Sequence, residues 1–284
     1  MGETIGQHIN SASKRLMAAG IDNYNSEAKI LMMFLLNVSP SDLFMQSIEE
    51  LDDVTARRYK KLVDKRMTHY PLQYIIGFTY FMDYRFSCKE GVLIPRYDTE
   101  NVVLDALSIA PDRKMRVLDM CTGSGCIGIS FYKQREEMGY NDKVIMSDIS
   151  PEALELASRN AAENDADVRV IESDLFDAFN EDYKFDMIIS NPPYIKTEDI
   201  WRLDSDVKDY EPMLALDGME DGLYFYREII GEAPKYLKKD GCLVLEIGFD
   251  QADDVGMLLE KTGFKDITIK QDLSGLDRVA HGWI

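Results

Sequence analysis

The chain has 284 residues, 45% of them hydrophobic, and a formal net charge of −19. That length allows one large or two modest domains with a real core. The longest unbroken apolar run, Ile30 to Leu36, falls far short of the roughly 20 residues a membrane span requires, so no membrane association is expected. The acid is unevenly placed: residues 1–75 hold 9 Lys+Arg against 9 Asp+Glu, and the remainder holds 23 against 42. A polyanion is repelled by such a surface, which speaks against free DNA as a target or a stable DNA complex. It favours a protein partner with a basic surface. Four cysteines, Cys88, Cys121, Cys126 and Cys242, show no paired spacing and fit a reducing cytoplasm. No basic-then-apolar leader opens the chain, so no secretory signal is expected. His8, His69 and His281 are the only histidines and none sits at metal-ligand spacing, so neither a metal site nor a His-driven triad is expected.

Residues 1–75 read as a helical bundle, with apolar residues at helical spacing in Ile9 to Met17, Ala28 to Leu36 and Val54 to Met67. Asn25-Ser26 and Ser39-Pro40-Ser41-Asp42 look like helix starts. Arg57, Arg58, Lys60, Lys61, Lys65 and Arg66 read as a solvated basic helix face; the alternative is a contact with ribosomal RNA or a partner protein. The aromatic and β-branched stretch Tyr74 to Phe86 suits a hairpin, within a linker placed at 76–98. Asp98 or Thr99 would cap a helix starting near Asn101. From residue 99 to 284 strands and helices alternate, as in a doubly wound α/β sheet.

Arg116 to Met120 is a strand; Cys121-Thr122-Gly123-Ser124-Gly125 is a glycine turn; a helix runs from about Cys126 to Glu137. This order brings a ligand close to backbone N–H groups. It is neither G-x-G-x-x-G nor a P-loop, so a diphosphate is a poor fit. Asp119 suits a cationic ligand group better. The next strand, Lys143 to Ser147, ends in Asp148, where an acid accepts from ribose hydroxyls. Ser150 and Asp148 are possible caps for the helix beginning at Pro151. After a third strand, Val168 to Glu172, Asp174 could hold an exocyclic amine, and Leu175 and Phe176 could pack on a purine. Each signal alone has an ordinary alternative: a tight turn, a helix cap, a solvated loop acid. Their order and spacing together describe S-adenosylmethionine.

The apolar strand Phe185 to Ser190 runs into Asn191-Pro192-Pro193-Tyr194. The strand's carboxyl end is where open α/β sheets bind ligands. Pro192 and Pro193 stiffen the loop and donate no N–H. The Asn191 side chain and a proline carbonyl offer two acceptors, and Tyr194 a flat face. Together they fit a planar, conjugated –NH2 group whose nitrogen reacts only when positioned. A plain turn is the other reading. If the ring face is what matters, losing the Tyr194 hydroxyl should be mild. Further on come strands at Cys242 to Ile247, Phe264 to Gln271 and Arg278 to Trp283, the last two an antiparallel pair, with a helix from Gln251 to Thr262.

Ile94-Pro95-Arg96-Tyr97-Asp98-Thr99-Glu100, Leu118-Asp119-Met120-Cys121-Thr122-Gly123-Ser124-Gly125, Asn191-Pro192-Pro193-Tyr194, Glu211-Pro212-Met213-Leu214-Ala215-Leu216 and Asp217-Gly218-Met219-Glu220-Asp221-Gly222-Leu223 resemble the release-factor glutamine methyltransferases, the HemK/PrmC family. The resemblance covers nearly the whole chain. It implies a seven-stranded class I methyltransferase sheet behind a small N-terminal helical domain that recognises release factors. The implied reaction is methylation of the glutamine in their Gly-Gly-Gln motif, with the ribosome as a passing contact at most. It also implies that Cys121, Thr122, Gly123, Ser124, Gly125 and Asn191 join Asp119, Asp148, Asp174, Leu175 and Phe176 around the cofactor. Two residues depart from the family pattern, Tyr97 for Pro and Cys121 for Gly. A Cβ at Cys121 calls for negative φ or an altered loop, with weaker cofactor binding as the largest expected effect. Adenine-N6 methylation and cofactor binding without turnover are the competing readings.

Overall fold

The computed structural model describes residues 2–284, which form two compact units, the first from residues 2–77 with Asp204–Tyr210, the second from Phe78–Leu203 with Glu211–Ile284.

In the first unit, α1 (Ile5–Ala18), α2 (Tyr24–Leu36), α3 (Pro40–Met45), α4 (Asp53–Arg66) and α5 (Leu72–Ile76) surround a core built on Leu16, Leu31, Met32, Tyr59 and Val63. Local chemistry sets most starts. Thr4 and Gln7 form a capping box on α1, Ser39 and Asp42 another on α3, and Asp52 caps α4. α2 begins one residue before Asn25, whose side chain accepts from Ser13 instead of capping. Tyr74 to Ile76 fall in α5, not in the hairpin: the Tyr74 and Ile75 N–H groups both return to the Pro71 carbonyl (3.1 Å each), and Gly77 ends the turn at φ 83°. Arg66 leaves the expected basic face: it is buried against Glu27, a carboxylate on α2 that needs a counterion, and also meets Asp206 at 3.4 Å. The short helical turn Ser205–Lys208 therefore belongs with this unit although it follows residue 191 in the chain.

The second unit opens with the hairpin β1 (Phe78–Phe81) and β2 (Tyr84–Ser87), joined by Met82 and Asp83, both at positive φ as a two-residue turn of matching twist requires. There follow α6 (Glu100–Ile109), β3 (Arg116–Met120), α7 (Cys126–Glu137), β4 (Lys143–Asp148), α8 (Pro151–Glu163), β5 (Arg169–Glu172), β6 (Phe185–Ser190), α9 (Tyr224–Glu232), β7 (Leu237–Glu246), α10 (Ala252–Thr262), β8 (Lys265–Gln271) and β9 (Asp277–Trp283). Seven strands make one sheet in the order β5-β4-β3-β6-β7-β9-β8. β9 is antiparallel to both neighbours, and the other pairs are parallel. The doubly wound reading holds, and so does the antiparallel pairing of the last two strands.

β3 and β6 lie side by side at the centre, covered on both faces, and every residue of β6 is buried. That is why their sequences read as continuous apolar runs. The strand order reverses between β3 and β6, so the loops after Met120 and Ser190 open at the sheet's switch point. No single described helix is long and apolar enough to cross a membrane. Among the described residues no group of three or more His, Cys, Asp and Glu could hold a metal ion.

Candidate active site

A cavity of about 300 Å³ sits above the carboxyl ends of β3, β4 and β6 and is lined by residues of the second unit. Cys121 to Ser124, Asp148, Asp174, Leu175, Asn191 and Pro193 all border it. Gly125, Phe176, Pro192, Tyr194 and Asp119 do not. The topology thus gathers the glycine turn, the acid after β4 and the Asn-Pro-Pro-Tyr loop into one space.

The glycine turn is held from behind. Thr122 N–H donates to the Ser147 carbonyl (3.0 Å) and Gly123 N–H to Asp148 Oδ2 (2.9 Å). Asp148 Oδ1 accepts from Ser150 N–H (2.9 Å), while the Ser150 hydroxyl caps α8. Asp148 keeps free lone pairs toward the cavity. Burial raises its pKa, against the lowering effect of the Ser150 and Gly123 N–H bonds.

Asp119 departs from expectation. It is fully buried behind the turn, where Oδ2 takes bonds from the Thr122 hydroxyl and from Gly128 N–H (2.9 Å). Burial pushes its pKa up to about 7. Its other oxygen, Oδ1, has no partner among the described residues. Its visible work is bracing the turn, not forming the cavity wall. Phe176 also departs: it points into the core and stacks on Tyr236, ring centroids 4.3 Å apart and 5° from parallel. Leu175 lines the cavity in its place, and so does the exposed Ile149, which follows Asp148 and was not singled out.

Cys121 lines the cavity at φ 58°. The Cβ does not force negative φ; the turn keeps its left-handed residue and the side chain bears the strain. Burial raises the thiol's pKa, so it stays protonated.

On the opposite wall, the Asn191 carboxamide donates from Nδ2 to the Thr99 hydroxyl at 3.3 Å. Thr99 precedes α6 without making a side-chain cap bond; its hydroxyl serves the site instead of the helix. Glu100 turns to Met82 N–H (2.8 Å), securing the hairpin. Arg96 is paired with Glu211, which also accepts from Ile94 N–H (3.2 Å), so two segments that were separate in the sequence form one wall.

Tyr194 is anchored by its hydroxyl. It donates to Glu246 Oε1 at 3.1 Å. Burial raises the phenol's pKa, and the Glu246 charge raises it further. The expectation that losing this hydroxyl is mild took no account of that bond: without it a buried carboxyl oxygen loses its partner. Behind the loop, Gln251 Nε2 donates to the Tyr194 carbonyl (3.0 Å). Gly218 and Gly222 pack flush against Tyr194. A Cβ on Gly218 would lie 2.7 Å from Tyr194 Cα, and one on Gly222 2.5 Å from its carbonyl oxygen. That contact explains the Asp-Gly-x-x-x-Gly pattern at 217–222.

Glu246 was missed by sequence reasoning. It ends β7 as Asp148 ends β4, an acid closing an apolar strand at the ligand edge of the sheet, and that repeat was the available signal. It is buried; burial pushes its pKa up to about 7, partly offset by the hydroxyls of Thr99 and Tyr194.

The comparisons agree with this geometry. The family described as PrmC N-terminal domain matches residues 7–77, and the Methyltransferase small domain matches residues 98–203. The release factor glutamine methyltransferase of Geobacter sulfurreducens is 40% identical over 269 residues, covering 95% of this chain and 93% of that one. The chain belongs to the release factor glutamine methyltransferase family. The Clostridium acetobutylicum member is 37% identical, covering 90% of both chains. Among solved structures, a ribosomal protein L11 methylase from Lactobacillus delbrueckii subsp. bulgaricus superposes with a TM-score of 0.50 at 20% identity, over 68% of this chain and 82% of that one. A Pyrococcus furiosus methyltransferase also gives 0.50, at 18% identity, over 80% and 97%. At such identities these two establish the methyltransferase fold alone.

The cofactor of this fold is S-adenosylmethionine, and the cavity's chemistry fits it. Asp148 and Asp174 put two carboxylates on the wall, and the Arg96 guanidinium there is already paired with Glu211, an arrangement that suits an ammonium and a ribose diol.

Proposed function

We propose that this protein transfers a methyl group from S-adenosylmethionine to the side-chain amide nitrogen of the glutamine in the Gly-Gly-Gln motif of peptide chain release factors. The observation that carries the reading is the Asn191 carboxamide. Its nitrogen is occupied by Thr99, so its oxygen is left as an acceptor on the wall of the cavity that the glycine turn also borders.

In this reading Asp148 accepts from the ribose hydroxyls, the turn at 121–125 approaches the amino-acid part, and Asp174, Leu175 and Ile149 meet the purine. When bound, the cofactor supplies an electrophilic methyl carbon on a sulfonium sulfur. Asn191 Oδ1, on the cavity wall, accepts one amide proton of the substrate glutamine; the second acceptor in this reading is the Pro192 carbonyl, on a residue that lies just behind that wall. They turn the nitrogen lone pair out of conjugation and toward that carbon. The C–S bond breaks as the N–C bond forms. The alkylated nitrogen is then strongly acidic, and its extra proton leaves to water. No strong base is needed. Orientation supplies most of the rate, with effective molarities of roughly 10⁵ M attainable. Pro192 and Pro193, both buried, keep the acceptors in place, and Tyr194 is the hinge by which the loop is fixed.

The acidic balance of residues 76–284 supports a basic protein substrate in the cytoplasm, with the ribosome a passing contact and no stable DNA complex. The N-terminal helical unit is the recognition module in this reading. The test is methyl transfer from labelled cofactor to a purified release factor, beside a copy with Ala in place of the motif glutamine. Label on the first alone is expected. No label on either, with cofactor bound, would overturn the reading and make adenine-containing nucleic acid the next substrate to assay.

A further inference from the structure

We propose that Glu246 is a positioning residue for methyl transfer, acting through Thr99 to hold the Asn191 carboxamide with its oxygen toward the cavity. The inference rests on the reaction proposed above.

Thr99 is buried, and its oxygen accepts from Asn191 Nδ2. Its own hydrogen therefore needs an acceptor. Ser190 lies opposite Leu245 in the parallel pairing of β6 and β7, so the next residues along, Asn191 and Glu246, are neighbours. The Thr99 hydroxyl that Asn191 meets is near enough to lower the pKa of the Glu246 carboxyl. Of that carboxyl's oxygens, Oε1 takes the Tyr194 hydroxyl, and Oε2 is buried with no hydrogen-bond partner among the described residues. A hydroxyl turned to Oε2 satisfies both loose ends at once. The chain of donors then runs in one direction, from Asn191 Nδ2 to Thr99, from Thr99 to Glu246, with Tyr194 donating to the same carboxyl from the other side.

Charge sets that direction. An ionised carboxylate only accepts, so Thr99 must donate to it and accept from Asn191. The Asn191 oxygen is left facing the substrate amide. A protonated Glu246 can donate to Thr99 instead. The Thr99 hydrogen is then free for Asn191 Oδ1, the carboxamide turns over, and an N–H faces an N–H.

Of the groups that face Glu246 it is the one that titrates. Asp119, also pushed up to about 7, braces the glycine turn on the cofactor wall. Its titration is therefore read in cofactor affinity, and the acid limb that tests Glu246 is that of kcat at saturating cofactor. Arg278 on β9 lowers its pKa and Asp98 raises it, but these two pair with each other at 3.4 Å. The Tyr226 hydroxyl on α9 donates to the Glu246 main-chain carbonyl at 3.0 Å, and burial holds it protonated. Burial likewise pushes the Cys126 thiol on α7 up to about 12. Tyr194 stays a phenol for the same reason. Burial pushes Glu246 itself up to about 7, so turnover should fall as pH drops through the neutral range.

The experiment measures kcat, KM for the release factor and cofactor affinity between about pH 5.5 and 8.5, for wild type, Glu246→Gln, Thr99→Val, Thr99→Ser and the Glu246→Gln/Thr99→Val double variant. Glu246→Gln and Thr99→Val should each lower kcat on the order of tenfold to a hundredfold, the usual cost of losing a partner one bond removed from a site, with cofactor affinity retained. Thr99→Ser should keep both kcat and the acid limb, whereas Glu246→Gln should have no acid limb. The double variant should be no worse than either single one, as members of one chain behave. Unchanged kcat in either single variant, additive losses in the double, or an acid limb surviving in Glu246→Gln would each overturn the proposal. If Glu246→Gln does not fold, the Thr99→Val and Thr99→Ser pair decides it. Wild-type label on the release factor reports the reaction itself, so with that label present a negative result sinks the relay alone.

Discussion

The two walls of the cavity are built by different means. The cofactor wall is mostly backbone, with partners on the same loop or the adjacent strand: Ser150 N–H on Asp148 two positions away, and Gly123 N–H on Asp148 and Thr122 N–H on Ser147 across 25 positions each. The amide wall is mostly side chain, with partners far away: Asn191 meets Thr99 across 92 positions and Tyr194 meets Glu246 across 52. A wall of backbone needs only the pairing of the adjacent strands β3 and β4 and tolerates an unusual residue such as Cys121. A wall of side chains needs the whole sheet to be assembled first, and each of its members depends on the next.

If that contrast is real, variants of the two walls should separate binding from turnover. Asp148→Ala removes the acceptor for two ribose hydroxyls, each charge-assisted bond worth roughly 1.5–3 kcal/mol. Cofactor affinity by calorimetry should fall on the order of several hundredfold, with kcat at saturating cofactor much less changed; a collapse of kcat at unchanged affinity would break the comparison.

Glu246→Gln should show the amide wall's cost in stability. Its folded pKa is raised from 4.5 to about 7. A carboxyl raised in this way favours the fold in acid, and that contribution is lost as pH rises through about 7. The Gln variant does not titrate there, so its stability relative to wild type should improve by up to about 3 kcal/mol between acid and mildly alkaline pH. A difference that stays constant with pH would contradict the buried, titrating carboxyl.

Tyr194→Phe should cost about 2 kcal/mol by leaving Glu246 Oε1 unpartnered, and should lower kcat while cofactor affinity holds. Unchanged melting and turnover would show the hydroxyl to be dispensable after all. The smallest effect is expected on the cofactor wall. Cys121→Gly relieves a left-handed φ of 58° and should raise stability by about 1 kcal/mol, read as a higher melting temperature with turnover retained.

The same contrast explains what the sequence disclosed. The alternation of strands and helices, the bounds of α7 and the glycine turn were legible because each is written in a short window. So was the antiparallel end of the sheet. Asp148 was legible as an acid closing a strand. Asp119 misled because an acid at a strand end reads the same whether it faces a ligand or braces a turn. Phe176 misled because one step along a loop separates the cavity from the core. Thr99 resembled a helix cap, which is its local meaning; only the approach of β6 gives it another. Arg66 looked like one more exposed base, and a buried Glu27 claims it. Glu246 carried a signal, but its role exists only once β7 lies beside β6.

In the proposed reaction Asn191 holds the substrate amide, and its carboxamide contributes to turnover far more than to cofactor binding. The direct measurement is single-turnover methyl transfer to a release factor by Asn191→Ala, with cofactor affinity determined on the same preparation. Retained affinity with transfer slowed by about 100-fold or more is the predicted result. Intact transfer, or affinity and transfer lost together, would contradict it.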